Sequence, residues 1–178
     1  MIILGIDPGT IVTGYGIIKY EGNEVIPLAS GIIKLPAVKD LAPRLKVIFD
    51  EITGLIKEYK PDEFAIETAF YGKNVQSAMK IGYARGVSLL AAVNNSLPSK
   101  EYSPREVKKS VVGNGAASKE QVQYMVKKIL ALKKNKMKFD ESDALAVAIC
   151  HAFKRNTLSY KSRSWKEFVE ANPDKVIE

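Results

Sequence analysis

Asp7, Glu67, Asp140 and Asp143 are the residues of this chain whose types and positions could do chemistry together. Asp7 closes the continuous apolar run Ile2-Ile3-Leu4-Gly5-Ile6, and Glu67 closes Phe64-Ala65-Ile66. A charge directly after a buried strand is costly unless it emerges at the sheet edge or meets a cation. Sites in open α/β sheets form at the carboxyl ends of parallel strands, so two acids at two such ends would face one crevice. Taken singly, each also reads as a residue that merely opens a turn. Asp140 and Asp143 stand at i and i+3, which puts both carboxylates on one helix face with about 5–6 Å between their Cβ atoms. Like charges that close repel unless a cation joins them. The same spacing also suits an N-cap at Asp140 with Asp143 in the first turn, where the helix dipole favours negative charge.

The combination narrows the chemistry. Four acids at element ends, with no Cys or His cluster, suit a hard cation with oxygen ligands, magnesium or manganese rather than zinc. Two such ions about 4 Å apart can activate a water and stabilise the leaving oxygen of an in-line displacement at phosphorus. Charge supplies the substrate class. Twenty-seven Lys and Arg against 20 Asp and Glu give a formal charge of +7 and a pI near 9.3. That excess favours a polyanionic partner, because neutralised phosphates release counterions. The chemistry expected is therefore hydrolysis of a nucleic-acid phosphodiester. The single Cys150 excludes an intrachain disulfide and a thiolate metal cage, which fits a reducing cytosol. With no apolar stretch near the roughly 20 residues a membrane span needs, and no basic leader, the expectation is a soluble, cytoplasmic protein without a membrane partner.

The elements that must position these acids can be read along the chain. At 178 residues, one domain is expected, over residues 1–155, with a polar, basic tail over 156–178. Ile2–Ile6 reads as a strand buried on both faces. Thr13–Tyr20 and Glu24–Leu35 read as a hairpin around Glu21-Gly22-Asn23. Asp40 can cap a helix whose apolar positions Leu41, Leu45, Ile48, Phe49, Ile52, Leu55 and Ile56 share one face, ending before Lys60-Pro61. A fourth strand ends at Glu67. A long helix rich in small residues (Gly82, Ala84, Gly86, Ala91, Ala92) spans Asn74–Asn95, and a fifth strand spans Pro98–Tyr102. Further helices are expected over Pro104–Val111, Ser118–Leu132 and Asp140–Phe153. Three antiparallel strands followed by alternating helix and strand imply a mixed five-stranded sheet flanked by helices.

A family resemblance rests on residues in order along the chain. Ile6-Asp7-Pro8-Gly9, Ala65-Ile66-Glu67 followed by Phe70, Ala84-Arg85-Gly86, Val107-Lys108-Lys109-Ser110-Val111-Val112-Gly113, Gly115 with Lys119, Gln121-Val122, and Asp140-Glu141-Ser142-Asp143-Ala144-Leu145-Ala146 together resemble the RuvC family. The resemblance runs to about His151. It implies an RNase H-like fold, a two-fold homodimer, Mg²⁺ dependence with Mn²⁺ able to substitute, two ions per site during catalysis, and paired nicks in opposing strands of a four-way DNA junction. It puts Asp7, Glu67, Asp140 and Asp143 at the family's catalytic acids. Some members carry His at the position of Asp140, so this chain resembles the all-carboxylate version. It also implies the branch-migration proteins RuvA and RuvB as partners.

Lys108 and Lys119 flank Gly113-Asn114-Gly115 and match family lysines near the scissile phosphate, where an ammonium can neutralise charge growing on phosphoryl oxygens. Phe70 and Tyr71 could stack on an unpaired base, or pack in the core. Lys73, Arg85 and Lys109 complete the candidate DNA contacts, with helix-surface solvation as the plainer reading for Lys109. His151 lies about 12 Å along the helix from Asp143, too far to share a metal, and a structural role is expected. Cys150 reads as core filler. Three other functions fit parts of the sequence: an RNase H-like nuclease acting on RNA–DNA hybrids, an actin-like ATP-binding protein suggested by Gly5-Ile6-Asp7-Pro8-Gly9-Thr10, and a DNA-binding module without catalysis.

Overall fold

The computed structural model describes residues 1–38, 40–68, 75–133 and 136–161, with 156–161 in backbone only. Five strands form one sheet in the order β3-β2-β1-β4-β5: β1 (Ile2–Asp7), β2 (Val12–Glu21), β3 (Glu24–Lys34), β4 (Glu63–Glu67) and β5 (Ser99–Tyr102). The first three are antiparallel neighbours, while β4 runs parallel to β1 and β5 parallel to β4. The mixed five-stranded sheet expected from the sequence is therefore the observed one. The β2–β3 turn is a two-residue turn in which Gly22 (φ 55°) and Asn23 (φ 73°) are both left-handed. That twist matches the flanking strands.

Helices cover both faces. α1 (Leu41–Tyr59) and α2 (Val75–Asn94) lie on one side, against Leu4, Ile6, Ile17, Phe64 and Ile66. On the other side, α3 (Pro104–Val112), α4 (Lys119–Ile129) and α5 (Phe139–Lys161) pack against Ile3, Ile18, Ala65 and Tyr102. The alternation of side chains along a strand decides these memberships. Ile3, Gly5 and Asp7 look toward α5, as do Ala65 and Glu67. Leu4 and Ile6 look toward α1. Both acids thus emerge on the α5 side of the sheet.

Several ends differ from the sequence reading. Asp40 occupies the N-cap of α1 in extended conformation, but its side chain makes no capping bond. The helix is stopped at its other end by left-handed Lys60 before Pro61. α3 and α4 each begin with a full capping box, Ser103 with Glu106 and Ser118 with Gln121. α5 begins at Phe139, which puts Asp140 inside the first turn and removes the N-cap reading of that acid. It also continues past Phe153 to Lys161, through the point where the tail was expected to start. From residue 162 the tail lies outside the described residues.

α5 sits unusually low on the sheet because its floor is glycine. Gly5, Gly14 and Gly16 are cross-strand neighbours in register, Gly5 opposite Gly16 and Gly14 opposite Asp7. A methyl on Gly5 would overlap the Ala144 carbonyl oxygen, one on Gly14 the Asp140 carbonyl oxygen, and one on Gly16 would stand 2.8 Å from Leu145 Cα. Farther along, α5 is held by polar contacts. His151 Nδ1 lies 2.7 Å from the Tyr102 hydroxyl, and its Nε2 meets the Glu63 carboxylate, which also holds Arg155. His151 is 6% exposed, and the structural role expected for it is what these bonds describe. Cys150 is buried, with its thiol pushed up to about 11 by that burial, as a core filler would be.

Gly14→Ala should destabilise the protein by about 1–3 kcal/mol through overpacking, each kcal/mol lowering the melting temperature by about 2–4 °C. Gly54→Ala, where nothing lies within 4 Å of the added methyl, should leave stability unchanged or raise it. Equal melting temperatures for the two variants would remove the case for a glycine floor.

Candidate active site

The carboxyl ends of β1 and β4 are adjacent in parallel register, Ile6 beside Ile66, so Asp7 and Glu67 come off neighbouring strands side by side. The loop that follows Asp7 is pinned. Thr13, fully buried, donates from its hydroxyl to the Gly9 carbonyl at 2.8 Å and accepts from the Gly9 N–H at 3.3 Å. Arg44 of α1 donates to the Thr10 carbonyl at 3.2 Å. Against this pair the glycine floor lowers the first turns of α5, which carry Asp140 and Asp143. The N-terminus of α4 brings Lys119, whose Nζ donates to Asp143 Oδ2 at 2.8 Å. The Asp143 side chain is 16% exposed and that of Lys119 60%.

A cleft of about 220 Å³ opens here, lined by Glu67, Pro104, Val107, Lys108, Lys119, Val122 and Asp143. Its charge is unbalanced. Burial pushes the Asp7 carboxyl well above the usual carboxylate range, and the nearby charges of Glu67, Asp143 and Asp140 push the same way against the opposing pull of Lys119. Burial, with Asp143 behind it, pushes Glu67 up to about 7, although Lys119 and Lys108 both pull it down. The Lys119 ammonium is raised, first by its hydrogen bond to Asp143 and then by the surrounding acids. These couplings tie all four acids and both lysines to one electrostatic centre.

The donor set fits a divalent cation in its chemistry. It is all carboxylate oxygen, partly desolvated, and carries more negative charge than the two lysines offset. Its side chains are not closed on a single point. Among the described residues no three His, Cys, Asp or Glu side chains stand as a ready metal cage, and one Asp143 oxygen is taken by Lys119. Asp7, Glu67, Asp140 and Asp143 are the residues that would hold the ion.

Of the other residues singled out in the sequence, Lys108 lines the cleft and Lys109, one residue on, faces solvent. Arg85 does not line it. Its guanidinium is engaged by Glu101 of β5, with Nε donating at 2.8 Å. Phe70, Tyr71 and Lys73 lie outside the described residues. The sequence reading missed the apolar walls Pro104, Val107 and Val122, and an adjoining groove that includes Arg105. The helical i, i+3 spacing of Arg105 and Lys108 was the available signal.

Comparison with known proteins matches this chain to a family. The family model described as crossover junction endodeoxyribonuclease RuvC matches residues 3–151. The chain is similar to the crossover junction endodeoxyribonuclease RuvC of Cytophaga hutchinsonii, 46% identical over 175 residues that cover 98% of this chain and 88% of that protein. It is likewise 46% identical to the same-named protein of Porphyromonas gingivalis, over 98% of this chain and 96% of the relative. Among solved structures it resembles T. thermophilus RuvC in complex with Holliday junction substrate, with a TM-score of 0.83, 31% identity, and coverage of 89% of this chain and 97% of that one.

The raised carboxyls make a stability prediction. A carboxyl whose folded pKa lies above its unfolded value binds a proton more readily when folded, so its contribution falls as pH rises and is lowest once both states are ionised. For Glu67 the loss should run from the ordinary value of 4.5 up to about 7. In metal-free protein at pH 8, Asp7→Asn and Glu67→Gln should each melt higher than the unmodified chain, and the advantage should disappear near pH 4. Mg²⁺ should raise the melting temperature of the unmodified chain more than that of either variant. A lower melting temperature for both variants at pH 8 would contradict the repulsion.

Proposed function

The chain belongs to the RuvC family of crossover junction endodeoxyribonucleases, and from that premise we propose that the cleft between β1, β4 and α5 is where it cuts DNA. The protein is a Holliday-junction resolvase with an RNase H-like fold, a divalent-metal-dependent endonuclease of recombination and repair that hydrolyses phosphodiesters of a four-way junction. The observation that supports this reading is that Asp7 and Glu67 leave adjacent parallel strand ends within electrostatic reach of the α5 acids, beside a cleft lined by Glu67, Asp143 and Lys119.

Asp7, Glu67, Asp140 and Asp143 would hold the cation, proposed to be Mg²⁺ with Mn²⁺ able to replace it, two ions per site during catalysis. Once bound, such ions lower the pKa of water and stabilise charge on the attacking and leaving oxygens of an in-line displacement. The rest of the work belongs to the chain. Repulsion among the acids is relieved by protonation at low pH and, once they are ionised, by a cation, which would also draw in a phosphate. Lys119 is paired with Asp143. Were Asp143 to hold a cation, the Lys119 ammonium at the cleft wall would be free to meet a phosphoryl oxygen where negative charge grows. Lys108, across the same cleft, has no ion pair among the described residues and adds a second positive group. The apolar walls Pro104, Val107 and Val122 limit water around the reacting phosphate and strengthen these charges.

Two symmetric cuts ask for two sites, and α2 offers the surface for a homodimer. Its buried residues Ala84, Ser88, Ala91 and Ala92 lie on one side of the helix. Val75, Met79, Tyr83, Leu90 and Val93 are exposed, and at 100° per residue they fall within an arc of about 80° on the opposite side. Gly82 and Gly86 lie in the same stripe with open space above them. A helix apolar on both faces is buried on both, and a two-fold copy of the same helix is a self-complementary cover. RuvA and RuvB are proposed partners on the family resemblance alone. No helix among the described residues is long and apolar enough to cross a membrane, and the cytoplasm is the proposed place of action.

A synthetic four-way junction should be nicked symmetrically in Mg²⁺ and left intact in chelator, in preference to an RNA–DNA hybrid. Asp7→Asn or Asp140→Asn should abolish nicking while junction binding stays within a few fold. Lys119→Ala should lower kcat by about 10²–10³-fold, on the scale of losing one transition-state donor, with a much smaller change in binding. Retained cleavage by Asp7→Asn would reject the site. For the assembly, Leu90→Glu should turn a dimer into a monomer by sedimentation with little change in melting temperature, and an unchanged dimer would move the interface elsewhere.

A further inference from the structure

A second groove continues the active cleft. It encloses about 540 Å³ between Pro104, Arg105, Lys108, Asn114, Gly115 and Ala116, and it shares Pro104 and Lys108 with the cleft that holds Glu67, Asp143 and Lys119. No acidic residue lines it. We propose that this groove carries the cleaved strand onward from the scissile phosphate, and that Arg105 is a positioning residue that grips one adjoining phosphate. The inference rests on the nuclease reading of the carboxylate cleft and adds a residue to it.

Arg105 stands apart from the other arginines. Arg44 is bonded to the carbonyls of Thr10 and Val38, Arg85 is paired with Glu101, and Arg155 is paired with Glu63. Among the arginines whose side chains are described, Arg105 alone makes no ion pair or hydrogen bond within the described residues, and it is exposed. Its stem nonetheless lies against backbone. A methyl on Gly115 would stand 2.6 Å from Arg105 Cγ and 3.2 Å from its carbonyl oxygen, so the side chain rests on the loop after α3, and a larger residue there would push it aside. α3 itself is held by the Ser103–Glu106 capping box and by Val107 and Val111 in the core. A restrained stem with a free guanidinium has less rotamer freedom to lose when it binds, and its planar fork suits two oxygens of one phosphate.

Spacing completes the argument. Arg105 and Lys108 are i and i+3 on α3, neighbours on one helix face about 5–6 Å apart at Cβ. Lys108 is the residue common to both cavities. A strand with its scissile phosphate at the carboxylates therefore meets Lys108 first and Arg105 next along the groove. A solvated surface arginine would show neither the glycine seat nor continuity with the cleft.

The test uses junctions carrying one uncharged methylphosphonate at a time, at each linkage within two nucleotides of the cut. Binding is measured in chelator and cleavage in Mg²⁺, with the full-length protein and with Arg105→Ala and Arg105→Lys. At one linkage, the neutral substitution should weaken binding by the unmodified protein about tenfold and leave binding by Arg105→Ala unchanged. Arg105→Lys should recover part of the loss. The slope of log affinity against log salt should fall by about 0.9 in Arg105→Ala, one phosphate contact's share. Losses that multiply independently at every linkage, or an unchanged salt slope, would overturn the proposal. Arg105→Lys keeps the stem on Gly115, so the linkage dependence can be read even if Arg105→Ala folds poorly. Binding in chelator does not require cutting, so failure of the unmodified chain to nick the junction would reject the nuclease reading separately from this one.

Discussion

The rest of the structure depends on how closely α5 lies on the first two strands. Three glycines in cross-strand register form its seat, and the carbonyl oxygens of Asp140 and Ala144 occupy space that any side chain there would fill. That approach lowers one end of the helix to the carboxyl end of β1, beside the carboxyl end of β4. Acids separated by more than 130 positions in sequence, Asp7 and Asp143 among them, thereby come within electrostatic reach of each other. A single Cβ on the floor would lift the helix and part them. Farther along, the helix is held by chemistry instead of sterics: His151 joins Tyr102 of β5 to Glu63 of β4, so α5 is fixed at two levels against four strands.

Holding the acids together has an energetic cost that the fold accepts. Desolvation and mutual repulsion raise the carboxyls of Asp7 and Glu67, so the fold opposes the ionised state that holding a cation would need. Such strain is common where function and stability compete. Lys119 relieves part of it through Asp143, yet more than half of its own side chain stays exposed. The same lysine is the counter-charge of Asp143 and is proposed to be the cation beside a bound phosphate. The neighbouring groove with Arg105 and Lys108 extends this logic from one phosphate to the strand that carries it.

The two faces of the sheet divide the labour. α3, α4 and α5 build the cleft on one side, and α1 and α2 close the other. α2 then turns a second apolar face outward, directly opposite its buried alanines. That places the proposed dimer surface across the thickness of the sheet from the cleft, where a second copy would cover neither site.

Much of this was legible in the sequence because it depends on local periodicity. Runs of apolar residues located the strands, i, i+3 and i+4 spacing located the helices, and Gly22-Asn23 marked a turn that only left-handed residues make easily. The position of Asp7 and Glu67 at strand ends followed from the same runs, and the order of motifs was enough to indicate the family. The ends of elements were less legible. Asp40 sits at a cap without capping, and Asp140 proved to lie inside its helix, because whether a carboxylate bonds to the backbone or faces a neighbour is decided by what packs beside it. Tertiary structure alone decided which residues meet. The pairing of Lys119 with Asp143, the capture of Arg85 by Glu101 and the seat of Arg105 on Gly115 all join distant positions, and no periodicity encodes them. Sequence determined that four carboxylates would stand at the ends of elements. Only the glycine floor under α5 determined that they would stand at the same place, because the distance between a helix and a sheet is set by the side chains missing between them.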